Sequence, residues 1–231
     1  MGTMVSNEID TNVMNDDAEA AGSGLIHPGA TAKTARDRLR NATAETHSRL
    51  HLHRAFSRLM SGSLTLPDYR QLLARLYGFH VSHEARLWGI PAQWCFGLDP
   101  LSHSKARLLG DDLAALNVDA GQTALLPVCR GLTAIGSSGA FVGCAYVIEG
   151  AGLGGRIMAR RLDTLLGTGT AEGRRFFLSG PTSFPSRWSR CCDAVEQCAD
   201  DGHIDAMVAA ASDTFLALEG WLQGGFDAPI T

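Results

Sequence analysis

The sequence predicts an all-α fold in a single domain, and three observations carry that expectation. Apolar residues recur at helical spacing, as in Leu72, Leu73 and Leu76, and again in Leu108, Leu109, Leu113 and Leu116. Strand–helix alternation is missing, and no Asn-Gly or Asp-Gly turn separates two β-rich runs. Proline and glycine sit where helices start and stop.

The elements follow in order. A first helix is expected from about Lys33 to Leu59, with Leu39, Leu50, Phe56 and Leu59 as its apolar markers. A second opens at Thr65, with Pro67 in its first turn and Asp68 favourable to the helix dipole. It runs towards Leu87, and Gly89 and Pro91 stop it. A third spans about Ser102 to Asn117. A shorter helical segment near Pro127–Ile135 leads into a long helix over about Ser138–Leu166. Gly167, Gly169 and Gly173 make the next loop, and helices over Ser186–Asp200 and Asp205–Leu222 finish the fold.

A chain of 231 residues with 45% hydrophobic and 19% charged residues can bury one core and carry a tail besides. Residues 1–30 hold five acids and no Lys or Arg, and are expected to form a disordered acidic tail. The helical domain is expected over residues 31–226. The start lacks the basic residues and apolar run of a signal peptide, and no run of about 18 apolar residues exists. A cytoplasmic protein without a membrane partner is therefore expected. Its six cysteines should be reduced thiols. Net charge −4 argues against nucleic acid as partner. Residues 150–190 nevertheless carry seven arginines against two acids, which suits a carboxylated ligand or an acidic protein partner.

The most informative segment is Gly150-Ala151-Gly152-Leu153-Gly154-Gly155, four glycines in six residues inside a long apolar stretch. A helix-interior glycine costs roughly 1 kcal/mol relative to alanine, so four cost about 4 kcal/mol, and something should offset that. Gly150, Gly152 and Gly155 match G-x-G-x-x-G as letters, but no βαβ pattern surrounds them. No Lys-Ser or Lys-Thr follows, as a phosphate-binding loop would need. Close helix–helix packing through small residues is a plain alternative. The remaining possibility is a kinked helix lying flat against a planar ligand, its bare backbone closer than any Cβ would allow.

Upstream, residues 42–47 read Ala42-Thr43-Ala44-Glu45-Thr46-His47 on the first helix. That hexapeptide, paired with the distant glycines, resembles the heme oxygenases, in which such a helix carries the proximal iron ligand and a glycine-rich distal helix ends in Gly-Gly. Leu64 to Glu84 is similar to the family's second helix, and Ser212 to Leu222 to its closing helix. In all, the resemblance covers roughly residues 34–224. Glu149 to Gly155 reads much like the bacterial members associated with phytochromes.

The resemblance implies a heme oxygenase-like helical bundle and a biliverdin-producing heme oxygenase. Heme would be substrate and cofactor, opened with O2 to biliverdin, carbon monoxide and ferrous iron. His47 is the implied iron ligand. Gly150, Gly154 and Gly155 align with the distal glycines that bring the backbone close to the porphyrin. Ala151 stands where animal relatives place an aspartate; bacterial relatives also lack that acid. Arg40, two helical turns before His47, and Arg187 or Arg190 are the candidate partners of the heme propionates, since guanidinium forks suit carboxylates. Electrons must come from outside, from a ferredoxin or a reductase, and the biliverdin formed could supply a bacteriophytochrome.

Other assignments remain open. A heme-binding or heme-transfer protein without chemistry would show the same residues. His47, His51 and His53 could suggest zinc, although their spacing puts only two of them on one helix face. His80, His83 and Glu84 raise a di-iron possibility, but the duplicated Glu-x-x-His pattern is missing. A thiaminase-like hydrolase on a related scaffold would need a cysteine nucleophile with a carboxylate and tyrosines, and no such constellation stands out.

Overall fold

A computed structural model of the chain describes residues 34–99, 101–178 and 184–224. The expected acidic tail lies outside the described residues. Ten α-helices and one short 3-10 turn make up the described fold, with no strand among the described residues. They are α1 (Ala35–Leu52), α2 (Arg54–Ser61), α3 (Leu66–Ala85), α4 (Lys105–Ala115) and α5 (Ala120–Ala124). The rest are α6 (Ser138–Arg161), α7 (Asp163–Leu166), α8 (Arg175–Leu178), α9 (Phe184–Asp200) and α10 (Ile204–Gln223).

Local chemistry explains where the main helices begin. Thr34 caps α1: its hydroxyl accepts from the Asp37 N–H, and the Asp37 carboxylate accepts from the Thr34 N–H. Thr65 and Asp68 repeat this reciprocal cap on α3, with Pro67 in the first turn as expected. Ser137 caps α6, its hydroxyl accepting from Ala140 N–H at 3.1 Å.

The long helix expected over Ser138–Leu166 is α6 followed by a separate α7, α8 was not foreseen, and two further elements differ from expectation. The first helix divides at His53, whose backbone leaves the helical region (φ −59, ψ 133). The ring then caps α2, with Nδ1 accepting from the Ala55 N–H at 3.3 Å. No Gly or Pro marks that break, so composition gave no sign of it. The second difference is the stretch over Pro127–Ile135, which is not helical. It forms a strap on α3: Cys129 N–H donates to the Gly78 carbonyl at 3.1 Å, and the Pro127 carbonyl abuts Gly78 where a Cβ would clash. Helical structure appears earlier instead, in α5, capped by Asp119 and Gln122.

The core has two clusters. One gathers Leu59, Tyr69, Leu72, Leu109, Leu113 and Leu162 around α3 and α4. The other gathers Leu39, Phe141, Val142, Val195, Met207 and Ala211 between α1, α6, α9 and α10. Phe215 of α10 packs against both. Helix α10 lies on α6 and also on α1, and Leu39 of α1 and Phe141 of α6 share the second core cluster. Two long helices are thus mounted side by side on a third. Among the described residues, no helix is long and apolar enough to cross a membrane.

Candidate functional site

His47 sits in the middle of α1, half-buried, on a helix whose inner face is anchored by buried Leu39, Thr43 and Leu50. Thr43 spends its hydroxyl on the Leu39 carbonyl at 2.8 Å, as mid-helix threonines do. The His47 ring meets Phe215 of α10 edge-on, with centroids 5.9 Å apart. On its other side stands His51, with Nε2 to Nε2 at 3.4 Å and ring centroids 4.5 Å apart. Burial, with a smaller contribution from His51, pushes the His47 pKa down to about 4. At neutral pH the ring is therefore an uncharged imidazole, the form that ligates iron.

The glycines of α6 divide by what surrounds them. Gly139 and Gly143 lie against α10, where a Cβ would strike Ala206 and His203 in one case and the Met207 backbone in the other. Gly155 lies against the Phe177 carbonyl of α8. That close approach is held by other bonds: Arg174 donates to the Ala159 carbonyl at 2.7 Å, and Asp112 accepts from the N–H groups of Arg175 and Phe176 at 2.7 and 2.9 Å. Gly155 is thus required by the protein's own packing. Gly150 and Gly154 are not. Among the described residues, a Cβ on Gly150 would touch only the Trp188 ring at 3.5 Å, and one on Gly154 only the Met158 methyl at 3.7 Å. These two glycines stand four residues apart, on one helix face.

Among the described residues no backbone presses on α6 at Gly150 and Gly154. His47 stands on α1, which packs on the same α10. Tyr146, one turn before Gly150, stacks at a tilt on Trp188 with centroids 5.6 Å apart. Arg40 and Arg36 of α1 are close enough to Tyr146 to stabilise its phenolate, although burial dominates and raises its pKa.

The three arginines proposed for propionates fare differently. Arg40 and Arg190 are exposed. Arg187 is buried and ion-paired to Glu149, Nε to Oε2 at 3.2 Å, with Lys105 also 3.7 Å from that carboxylate. Its guanidinium braces α9 against α6 next to Gly150. Among the described residues no cluster of three His, Cys, Asp or Glu could hold a metal ion. His53 is turned away to its capping role, so only His47 and His51 of the three histidines meet. His80 and His83 are buried in the core beside Phe79, and Glu84 accepts from the Ser104 hydroxyl at 2.7 Å and the Ala106 N–H at 2.9 Å.

Sequence inspection missed Phe215, Tyr146 and Trp188 as site neighbours. Two cavities lie elsewhere: one of about 620 Å³ near Trp94, Ser137 and His203, and one of about 220 Å³ near Leu132, Cys144 and Thr214.

Comparison with known proteins places this geometry. Among curated protein sequences none matches the chain. Among solved structures, the heme oxygenase from Leptospira interrogans is similar, with a TM-score of 0.67 at 16% identity, covering 82% of this chain and 98% of that one. Heme oxygenase-1 from the cyanobacterium Synechocystis, solved in complex with heme, is similar with a TM-score of 0.64 at 15% identity, covering 82% and 91%. At such identities these likenesses speak for the fold. The sequence model of the family described as Heme oxygenase matches residues 33–224, nearly the whole described chain, and the protein therefore belongs to the heme oxygenase family.

Proposed function

We propose that this chain binds heme between α1 and α6, with His47 as the iron ligand, and opens it oxidatively to biliverdin, carbon monoxide and ferrous iron. The observation that carries this is the bare face at Gly150 and Gly154, which the protein's own packing does not require. Heme supplies its own iron as the centre at which O2 is activated. The chain's residues bind, orient and exclude. His47, held between Phe215 and His51, presents an uncharged imidazole. The backbone at Gly150 and Gly154 would lie against the macrocycle and leave little space above it. Arg40 and Arg190, both exposed, are the remaining candidates for the propionates, while Arg187 acts through Glu149 on the position of α6. The likeness of Glu149–Gly155 to phytochrome-associated members supports delivery of biliverdin to a bacteriophytochrome. Six free, buried cysteines are in keeping with a cytoplasmic setting.

The purified protein, incubated with hemin, ascorbate and ferredoxin, should bleach its Soret band and yield a free bilin on a column. A Soret band that persists with no bilin would point to a heme carrier. His47→Ala should lose the histidine-ligated spectrum and regain part of its activity with added imidazole; an unaltered spectrum would mean that another residue holds the iron. Electrons are proposed to enter from an acidic donor at Arg156, Arg160 and Arg161, all exposed near the end of α6. Replacing all three with Glu should slow turnover with a ferredoxin by tenfold or more on the order of one like-charge repulsion of about 1.4 kcal/mol, with heme affinity kept. Turnover at the original rate would remove the docking site from the proposal.

A further inference from the structure

We propose that His47 and His51 form a chelate site for a divalent transition-metal ion in the heme-free protein, and that this ion and heme exclude one another. The second half of that statement rests on His47 being the heme-iron ligand; the first half does not.

The spacing His47-Ser48-Arg49-Leu50-His51 puts two imidazoles one helical turn apart on one face, the pairing that helical metal sites use. Here the rings have already converged. Their Nε2 atoms are 3.4 Å apart and the rings are edge-to-face at 72°. That separation is long for a hydrogen bond, which prefers about 2.7–3.2 Å. It suits an ion instead. Two nitrogens each about 2.0–2.1 Å from a tetrahedral zinc ion must lie about 3.3–3.4 Å apart. The two nitrogens thus stand at the separation of a chelate, and a turn of the rings, whose centroids are 4.5 Å apart, would aim both lone pairs at one ion.

The surroundings accept a cation. Arg49, which lies between the two histidines in sequence, is neutralised by Glu219 at 2.7 Å and Glu45 at 2.9 Å, so its charge is outweighed by two carboxylates. His51 is exposed, which leaves an approach from solvent. Among the described residues no third His, Cys, Asp or Glu joins the pair, so water would fill the remaining positions and the affinity would be modest. Because His47 would bind heme iron through the same nitrogen that faces His51, one imidazole cannot serve both metals at once.

The test uses the full heme-free chain. Zn2+ should bind with one equivalent by calorimetry, and Co2+ should develop the visible bands of a tetrahedral ion. His51→Ala, and His51→Gln as a helix-compatible second variant, should abolish both signals; His53→Ala should keep them. With Zn2+ at ten times its own dissociation constant, hemin should bind the native protein about tenfold more weakly. In the His51 variants the same Zn2+ should leave hemin affinity unchanged. Zinc binding that survives His51→Ala, or hemin affinity indifferent to bound zinc, overturns the proposal. The heme assignment fails separately: His47→Ala binding hemin with its original spectrum would sink the iron-ligand reading, and with it the exclusion, while the ion site would still stand or fall on the zinc titration.

Discussion

Near its start, α6 places Gly139 and Gly143 against α10, where a Cβ would strike His203 and the Met207 backbone. Seven residues beyond Gly143, Gly150 returns to that helix face, and with Gly154 it meets only the Trp188 ring and the Met158 methyl at ordinary contact distance. The residue type is the same and the helix is continuous from Ser138 to Arg161, yet the cause of each glycine differs. In the first region a neighbouring helix occupies the space of the missing side chain. In the second, no described residue does. A glycine that internal packing explains says nothing about a ligand, whereas one that the described packing leaves unexplained is a place to test for one.

The largest effect should come from adding methyl groups where the chain's own backbone fills the space, at Gly143 in the first region and at Gly155 against α8. Gly143→Ala drives a Cβ into the Met207 backbone, and Gly155→Ala does the same at the Phe177 carbonyl. Backbone cannot swing away as a side chain can, so each should cost about 3 kcal/mol, at the upper end of overpacking penalties. Urea unfolding measures this, and a loss under about 1 kcal/mol would show that α6 slides on α10 or α8 with little resistance.

The packed region can also be loosened without touching a glycine. His80 and His83 of α3 are buried, and burial pushes the first well below the ordinary histidine range and the second down to about 3, with Arg86 adding to the shift in His83. Both pKa values are depressed in the folded state, so the unfolded chain takes up protons first as pH falls. Their contribution is fully present above about pH 6.5 and is lost progressively as pH drops towards about 3. Each buried histidine contributes a slope of up to about 1.4 kcal/mol per pH unit, hence up to about 2.7 for the two. Urea unfolding at pH 6.5 and 5.5 should show a fall of about 2 kcal/mol, and His83→Gln should make it smaller by about 1 kcal/mol. A stability unchanged between those pH values would mean that the rings already carry protons in the fold.

Much of this was legible in the sequence. Thr65, Pro67 and Asp68 announced the start of α3, and the glycines over 150–155 announced a close approach to α6, which Gly155 makes at Phe177. What stayed hidden depends on partners distant in sequence. The sequence does not tell which face of α6 each glycine takes until α8 and α10 are in place, so Gly155 read as part of the ligand surface although Phe177 accounts for it. Arg187 read as a propionate partner because its carboxylate, Glu149, is brought to it only when α9 folds over α6. Phe215 could not be tied to His47 without knowing that α10 supports α1. The break at His53 arises from a capping bond by a histidine, a residue type that rarely marks one.

The smallest effect on stability is the sharpest test of the second region. Gly150→Ala and Gly154→Ala introduce a methyl into ordinary contact with Trp188 or Met158, with no clash. Replacing a helix-interior glycine by alanine removes an entropic cost of about 0.5–1 kcal/mol, so each variant should unfold at equal or slightly higher urea. Heme binding should move the other way, because the added Cβ stands where the macrocycle is proposed to lie. The expected pattern is therefore a heme-free protein as stable as before, or more so, that binds hemin more weakly or turns it over more slowly. Variants that keep both stability and heme handling would show that the bare face at Gly150 and Gly154 faces no ligand. Variants that lost stability as Gly143→Ala is expected to do would show that the two regions of α6 are not different after all.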